Sequence, residues 1–283
     1  MHLNLSILAT KDNTPIHASF SNLLCCSMLI SMKRMIATLI TVGCLNAYAH
    51  PMNVLVFSKT AGFRHDSIPA GISCLKALAD KNGWGMTATE NAAVFSDTEL
   101  AEYDVCVFMM TTGNVLDEKE QDAFVRFIRS GKGFVGIHSA TITENDWPWF
   151  VGLVGAKFIG HPPSQRGRLI VEDQDHPSIP ATMPREWIRE DEWYSFDRNP
   201  REKARVLISI DESSYGVDDN QWFPGVKQRM GDHPLVWCHE YDGGRAFQTA
   251  LGHTAESYAD PIFVAHLEGA IRWAAKENQE KVR

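Results

Sequence analysis

The chain has 283 residues, a formal net charge of −8, 22% charged residues and 44% hydrophobic residues. This is the composition of a globular protein that is long enough to bury a large core. The acidic balance argues against a nucleic-acid-binding protein, which would need a basic face. We find no low-complexity tract or internal repeat, which argues against a disordered scaffold or a solenoid.

The first 49 residues have the pattern of an export signal. A basic pair at residues 33–34 precedes an apolar run over residues 35–45, and an A-x-A cleavage motif ends at Ala49. The apolar run is too short to remain as a membrane span. We therefore predict that translation starts at Met32, with residues 1–31 as an upstream extension. Cleavage after Ala49 would then give a periplasmic or secreted protein without stable membrane insertion.

The first half of the remaining chain alternates strand patterns with helix patterns. Apolar runs typical of strands occur at residues 53–57, 104–110 and 133–137, and residues 86–89 are predicted as a further strand. Helical spacing covers residues 66–82 and 117–129, and a glycine follows each pattern. Continuous apolar strands separated by helices favour a parallel sheet that is covered on both faces. The sequence therefore predicts an α/β fold with a mostly parallel sheet.

The second half adds further strands and a hairpin. Strand patterns occur at residues 168–171, 205–210, 235–241 and 245–251, and the last two flank a Gly-bearing turn. A closing helix is predicted over residues 260–276. Because no linker separates the halves, we predict residues 1–49 as a leader and residues 50–283 as a single domain.

Three cysteines lie in the predicted domain. Cys74 falls in a helical pattern, and Cys106 and Cys238 fall in apolar strand patterns. Three thiols cannot all pair, and no C-x-x-C motif occurs. We interpret them as buried side chains that pack as small hydrophobic groups.

Polar loops follow several predicted strands, at the edge where α/β sheets bind ligands. Three of these loops contain His65, His138 and His253, and another contains Thr112-Gly113. Histidine is the side chain best suited to proton transfer near neutral pH. His138 follows a strand within Gly-Ile-His-Ser-Ala, which is the position of the reactive side chain in a nucleophile elbow. The competing interpretation is that each histidine only satisfies polar groups of the core.

Six motifs occur in an order that resembles a known family. They are Gly62-Phe63-Arg64-His65, Gly136-Ile137-His138-Ser139-Ala140, Gly160-His161-Pro162-Pro163, Asp191-Glu192-Trp193-Tyr194, the segment from Trp237 to Arg245, and Ala250-Leu251-Gly252-His253-Thr254. Together they resemble the ThuA-like (trehalose utilisation) family of the class I glutamine amidotransferase-like superfamily, over residues 53–275. The resemblance implies a flavodoxin-like, three-layer sandwich that includes the C-terminal β-hairpin. It also implies utilisation of trehalose and related disaccharides by way of 3-keto sugars.

The same resemblance places the superfamily's elbow at His138, its base histidine near His253 and its oxyanion loop near residues 111–113. An amidotransferase needs a thiolate at the elbow. No cysteine of the predicted domain lies there. We therefore expect no glutaminase activity.

Sugar sites place carboxylates against hydroxyl groups and aromatic faces against C–H surfaces, which makes the segment from Glu192 to Tyr194 a candidate. We predict three catalytic residues: His138, His253 and Glu192. The predicted substrate-binding residues are Arg64, His65, Thr112, Gly113, His161, Trp193 and Tyr194. We expect the histidines and Glu192 to converge on one pocket at the carboxyl edge of the sheet, with Thr112 and Gly113 on its wall. The other histidines of element interiors and turns are interpreted as structural: His176, His233, His239 and His266.

The leading functional hypothesis is an enzyme that processes a disaccharide, glycoside or 3-keto sugar by histidine acid/base chemistry. A ketone at C3 acidifies the neighbouring C–H bonds, so elimination or isomerisation needs only a base and an oxyanion donor. A non-catalytic sugar-binding module and a metal-dependent hydrolase built on the same histidines stay open as alternatives. We expect no cofactor, leave a divalent metal open, and expect a small-molecule sugar rather than nucleic acid as the partner. A homo-oligomer is also left open.

Overall fold

The computed structural model describes residues 50–219 and 221–277. The predicted leader lies outside these residues, so export of the protein stays a prediction. No helix in the described ranges has the length and apolar character that a membrane span requires.

The described chain alternates helices and strands as the sequence predicts. The strands are β1 (Asn53–Phe57), β2 (Gly85–Thr89), β3 (Val105–Met109), β4 (Gly133–Ile137), β5 (Phe158–Gly160), β6 (Gln165–Val171), β7 (Glu186–Asp191), β8 (Ser195–Phe196), β9 (Arg205–Asp211), β10 (Pro234–Tyr241) and β11 (Gly244–Thr249). The α-helices are α1 (Ile68–Asn82), α2 (Asp97–Leu100), α3 (Glu118–Arg129), α4 (Pro148–Val154) and α5 (Pro261–Ala274).

Nine of the described strands form one sheet in the order β2-β1-β3-β4-β11-β10-β9-β6-β7, and β5 pairs separately with β8. The pairings from β2 to β11 are parallel. The hairpin of β10 and β11 then starts an antiparallel extension through β9 and β6 to β7. The predicted α/β fold with a mixed sheet and a C-terminal hairpin is confirmed, and the parallel part is the half from β2 to β11.

A core lies on each face of the sheet. In β1, Val54 and Val56 pack on the side of α1 and α5, whereas Leu55 and Phe57 pack on the side of α3 and α4. This alternation follows from the pleat, which points successive side chains to opposite faces. It explains why a strand covered by helices on both sides is apolar throughout.

Local capping sets the helix bounds. Asp117 forms a capping box with Glu120 at the start of α3, an arrangement that contributes about 1 kcal/mol. Helix α1 begins later than its pattern, with Ser67 at the cap position and Asp66 exposed. It ends as predicted at Gly83, whose φ of 70° is left-handed.

The strands that the sequence missed are short or lie at the edge of the sheet. Strand β7 has only two apolar residues, Trp187 facing inward and Ile188 facing outward, between charged residues, so it has no long apolar run. Strands β5 and β8 have three and two residues, too few for a period. Sequence patterns for buried strands do not detect such elements.

The parallel register places the ends of four strands together. Phe57 pairs with Phe108 of β3, Met109 of β3 pairs with Ile137 of β4, and Ile137 also pairs with Thr249 of β11. The loops that follow β1, β3, β4 and β11 therefore leave the sheet side by side. Three of them contain the candidate histidines.

Candidate active site

His138 lies at a sharp turn directly after β4. Its φ of 51° is in the left-handed region, which costs a non-glycine residue on the order of 1–3 kcal/mol. Gly136 leaves room for this turn, because a Cβ atom there would overlap the side chain of Gln248 and press on Ala140. The elbow geometry expected from the sequence is therefore present, and it holds a fully buried imidazole.

Glu192 lies at the centre of the candidate site, directly after β7. Its Oε2 atom is 3.5 Å from His138 Nε2, 3.7 Å from His161 Nε2 and 3.1 Å from His253 Nδ1. One carboxylate oxygen thus faces three imidazole rings that come from three different loops. The residue is buried, with 9% of its surface exposed.

His65 completes the group. Its ring centre is 4.8 Å from that of His138 and 5.4 Å from that of His253. Four residues offer one ligand atom each, and these atoms all lie within 4.8 Å of one another: His65, His138, Glu192 and His253. We call these four residues the Glu192 cluster; His161 lies beside it.

Backbone carbonyls fix the proton position in two of the rings. His138 Nδ1 is 2.8 Å from the Ala250 carbonyl oxygen, and His161 Nδ1 is 2.9 Å from that of Pro162. A carbonyl oxygen only accepts, so each Nδ1 donates, and in the neutral ring Nε2 carries the lone pair. In both residues, this Nε2 atom faces Glu192.

Two nitrogens of the cluster are buried without an aligned hydrogen bond. Among the described residues, neither His138 Nε2 nor His253 Nδ1 has a polar partner with hydrogen-bond geometry, although Glu192 lies within ion-pair distance of both. Buried polar atoms are usually satisfied, so each exception needs an explanation.

Burial and Glu192 shift the protonation of these rings in opposite directions. Burial lowers the pKa of His65 to about 3, and the nearby imidazoles add to this effect. Burial also lowers the pKa of His161, although Glu192 opposes it. Burial would lower the pKa of His253 as well, but contact with Glu192 outweighs it, and the net shift is upward. His65 and His161 are therefore neutral near pH 7.

The carboxylate itself stays ionised. Burial alone would raise the pKa of Glu192, but the neighbouring rings of His138 and His253 outweigh burial and hold the pKa far below its ordinary value. The site thus combines a buried negative charge with several neutral or weakly basic rings.

A cavity of about 440 Å³ opens beside the cluster. Its lining is mostly aromatic and consists of Phe63, His65, Ile142, Phe158, His161, Glu192, Tyr194, Trp222 and Phe223. Phe63 and Trp222 are 70% and 53% exposed, which is unusual for such large apolar side chains. His138 and His253 are absent from this lining, although 26% of the His253 side chain is exposed. A larger cavity of about 550 Å³, beside α4 and β10, contains none of the clustered residues.

The structure brings together most of the predicted site but separates some of its members. Tyr194 lines the cavity, and its ring centre is 4.3 Å from that of His138. Trp193, the next residue, is fully buried in the core beneath Gly167. Arg64 points away and forms an exposed ion pair with Glu90.

Thr112 and Gly113 brace the loop before α1 and do not line the cavity. The Thr112 hydroxyl donates to the Phe63 carbonyl at 2.8 Å and accepts from the Gly62 N–H at 3.2 Å. Gly113 has a φ of 73°. They act on the pocket through Phe63 and its neighbours.

Sequence reasoning missed Asp191. This fully buried carboxylate accepts hydrogen bonds from the backbone N–H groups of Gly252 and His253, at 2.9 and 3.0 Å. It thereby fixes the loop that carries His253. Its place next to Glu192 in the fourth motif was a signal. The cavity residues Trp222 and Phe223 lie in an irregular loop, and no sequence pattern marked them as part of a site.

Comparisons with known proteins agree with this fold. The ThuA family, described as "Trehalose utilisation", matches residues 53–274. A ThuA-like protein from Bacteroides uniformis is 24% identical with a TM-score of 0.65, covering 82% of this chain and 94% of its own. One from Parabacteroides merdae is 20% identical with a TM-score of 0.64, covering 82% and 93%.

A cytoplasmic protein from Salmonella typhimurium is more distant, at 12% identity and a TM-score of 0.52, covering 78% of this chain and 98% of its own. No curated protein matches the chain. The structural likenesses show the fold alone. Because the family match spans most of the sequence, the chain belongs to the ThuA family of trehalose-utilisation proteins.

Proposed function

We propose that this protein is an enzyme that breaks the glycosidic bond of a 3-keto glycoside by elimination. The observation that carries the proposal is the position of His161. His161, Glu192 and His65 all line an aromatic cavity, and His161 Nε2 lies 3.7 Å from Glu192 Oε2. Removal of a proton next to a ketone requires a base. His161 can be that base, and the Glu192 carboxylate stabilises the positive charge that its ring gains with the proton.

The reaction begins at C2 of the oxidised ring. His161 Nε2 takes the C2 proton, the C–H electron pair forms a C2=C3 double bond, and the ketone π electrons move to O3. The C3=O bond then forms again, the C2=C3 pair shifts to C1=C2, and the bond from C1 to the leaving oxygen breaks. The leaving alcohol takes the proton from His161. The products are an unsaturated 3-keto sugar and an alcohol, and no external oxidant or reductant is needed.

The cavity supplies the binding surface for such a substrate. Tyr194, Phe158 and Trp222 present ring faces or edges to the space beside His161. Aromatic faces suit the C–H surfaces of a sugar ring. A volume of about 440 Å³ is within the usual range for small-molecule sites. Together with the family's association with trehalose, these features favour a disaccharide-sized glycoside.

The test uses purified protein with 3-keto trehalose or 3-keto glucosides that carry deuterium at C2. We expect bond cleavage with loss of the C2 deuterium to water, read by mass spectrometry, and no reaction with the unoxidised glycosides. His161→Gln should lower turnover by roughly 10²-fold or more, the usual scale for loss of a general base. His239→Gln is the matched control, since His239 is a partly buried histidine with a backbone partner away from the cluster.

Two outcomes would refute the proposal. Tight sugar binding without turnover would identify a binding module. Cleavage of unoxidised glycosides with the C2 deuterium retained would identify a hydrolase instead.

A further inference from the structure

We infer that the Glu192 cluster is a binding site for one divalent transition-metal ion. The inference starts from the two buried nitrogens that lack aligned partners, His138 Nε2 and His253 Nδ1. Both lie close to the same oxygen of Glu192. A ligand between these atoms would satisfy all three at once.

The tautomer of His138 places a lone pair opposite the Glu192 carboxylate, an arrangement that a cation between them would stabilise. Because Nδ1 donates to the Ala250 carbonyl, the neutral ring directs a lone pair from Nε2 towards Glu192. The carboxylate oxygen only accepts. Two acceptors 3.5 Å apart in a fully buried setting repel each other unless a proton or a metal ion lies between them. A separation of 3.5 Å is long for a hydrogen bond through one proton, and it is close to the spacing of two ligands on one metal ion.

The separations fit a metal centre. Tetrahedral zinc with bonds of about 2.0–2.1 Å holds its ligand atoms roughly 3.3–3.4 Å apart. The measured separations from Glu192 Oε2 are 3.5 Å to His138 and 3.1 Å to His253. The ligand atom of His65 lies within 4.8 Å of the other three, so this ring borders the shell, and the three nearer ligands leave an open position as in catalytic zinc sites.

The surroundings also resemble those of a metal site. A ligating histidine usually donates its other N–H to a carbonyl or carboxylate, which fixes its orientation, and His138 does so with Ala250. The backbone of His253 is held by Asp191. Imidazole nitrogens with one carboxylate suit zinc, iron, cobalt or manganese, whereas calcium and magnesium prefer oxygen ligands.

The ion would lie beside the cavity that His65 and Glu192 line. With His138, Glu192 and His253 as its ligands, an open fourth position would let it bind the ketone oxygen of the substrate and stabilise the negative charge that forms on O3. This catalytic role rests on the proposed function, whereas metal binding itself does not.

The experiment uses protein made metal-free with a chelator and then titrated with ZnCl₂, CoCl₂ or MnCl₂. We expect one ion per chain by elemental analysis, visible absorption bands with Co²⁺, and a higher melting temperature, because the ion binds only the folded state. His253→Ala and Glu192→Ala should each weaken binding by more than the 10- to 100-fold that loss of a supporting group costs. His239→Gln should bind the ion as the unsubstituted protein does.

Two variants test whether a loss of metal binding or turnover is caused by misfolding. His253 is partly exposed, with 26% of its side chain accessible, so its replacement removes little core packing. His161→Gln, which lies outside the ligand set, should keep the ion and lose turnover.

The outcomes separate the two proposals. Failure of the folded protein to bind any of the three ions in stoichiometric amount would overturn the metal site, as would full binding by both His253→Ala and Glu192→Ala. Undiminished turnover of the keto glycoside by metal-free protein would overturn the ion's role and leave the proposed function intact. Stoichiometric binding without turnover would support the metal site and overturn the proposed function.

Discussion

Among the residues that the structure describes, two buried glutamates contact histidine rings, and the rings differ in how their nitrogens are hydrogen-bonded. In the first pair, His233 Nδ1 lies 2.9 Å from Glu212 Oε1 and its Nε2 lies 2.8 Å from the Tyr194 carbonyl. Glu212 also accepts from the backbone N–H groups of Met230 and Gly231. Both ring nitrogens have partners, so this pair holds the backbone of Met230 and Gly231 against the core.

The Glu192 cluster contains the same residue types, but two of its ring nitrogens lack an aligned hydrogen bond within the described part of the chain. Its carboxylate faces three rings, yet His138 Nε2 and His253 Nδ1 have no aligned partner in the described structure. The cluster also borders a cavity. A satisfied pair stabilises the fold, whereas unsatisfied polar atoms beside a cavity indicate a ligand. The identity of the residues does not separate the two cases; their hydrogen-bond partners do.

The largest expected effect comes from exchanging each glutamate for glutamine. Glu192→Gln removes the charge of the cluster and should lower turnover of a keto glycoside by roughly 10²-fold or more. Glu212→Gln leaves the cavity intact, so its kcat should stay within about twofold. Steady-state kinetics on both variants checks the contrast. Equal losses of activity would show that the comparison does not separate function from stability.

The second effect concerns stability and its dependence on pH. Burial would raise the pKa of Glu212, but hydrogen bonds from His233, Met230 and Gly231 outweigh burial and hold the pKa below the ordinary glutamate value of 4.5. The ionised form is thus favoured in the folded state. Its stabilisation is present above pH 4.5 and is lost as the pH falls through the lower, folded value.

Glu212→Gln should therefore lower the free energy of unfolding by about 1–3 kcal/mol at neutral pH. The difference from the unsubstituted protein should shrink as the pH falls below 4.5. Urea unfolding at several pH values measures both quantities. A difference that grows on acidification would contradict this assignment.

The sequence predicted the part of the site that follows from strand ends. Parallel strands finish at one edge, so His65, His138 and the Thr112 loop had to lie close together. His253 joins them because the hairpin returns β11 alongside β4 in parallel. Glu192 and His161 came from the family resemblance, since neither follows an element with a clear period.

The rest depended on side-chain direction, which sequence patterns do not specify. Trp193 and Tyr194 are adjacent, and only Tyr194 faces the cavity while Trp193 enters the core. Arg64 is long and flexible, and it reaches an exposed partner, Glu90. Trp222 comes from an irregular loop whose path is set by tertiary contacts.

A third test concerns Asp191, a positioning residue beside Glu192. Like that of Glu212, its carboxylate accepts hydrogen bonds from backbone N–H groups. Asp191→Asn keeps one acceptor oxygen for the two N–H groups of Gly252 and His253, so the His253 loop should shift. We expect kcat to fall by about tenfold with KM nearly unchanged, since small misplacements are costly in catalysis. Asp197→Asn is the control.

The control matches because Asp197 also accepts a backbone N–H, from Lys157 at 2.8 Å, away from the cluster. Its replacement should lower the melting temperature without changing kcat. If both variants lowered kcat in proportion to their loss of stability, Asp191 would be merely structural.

The smallest effect is expected at the open side of the cavity. Trp222 is 53% exposed, and its ring centre lies 5.4 Å from that of His161. Because it touches the substrate space without reaching the cluster, Trp222→Ala should raise KM by roughly three- to tenfold, as expected for loss of about 1 kcal/mol of stacking, and leave kcat unchanged. Ile188→Ala is a matched control, since Ile188 is 50% exposed on edge strand β7 and lies outside the cavity lining. A fall in kcat at Trp222 with KM constant would mean that this side chain acts on the reacting groups, and the boundary between the binding surface and the Glu192 cluster would have to be redrawn.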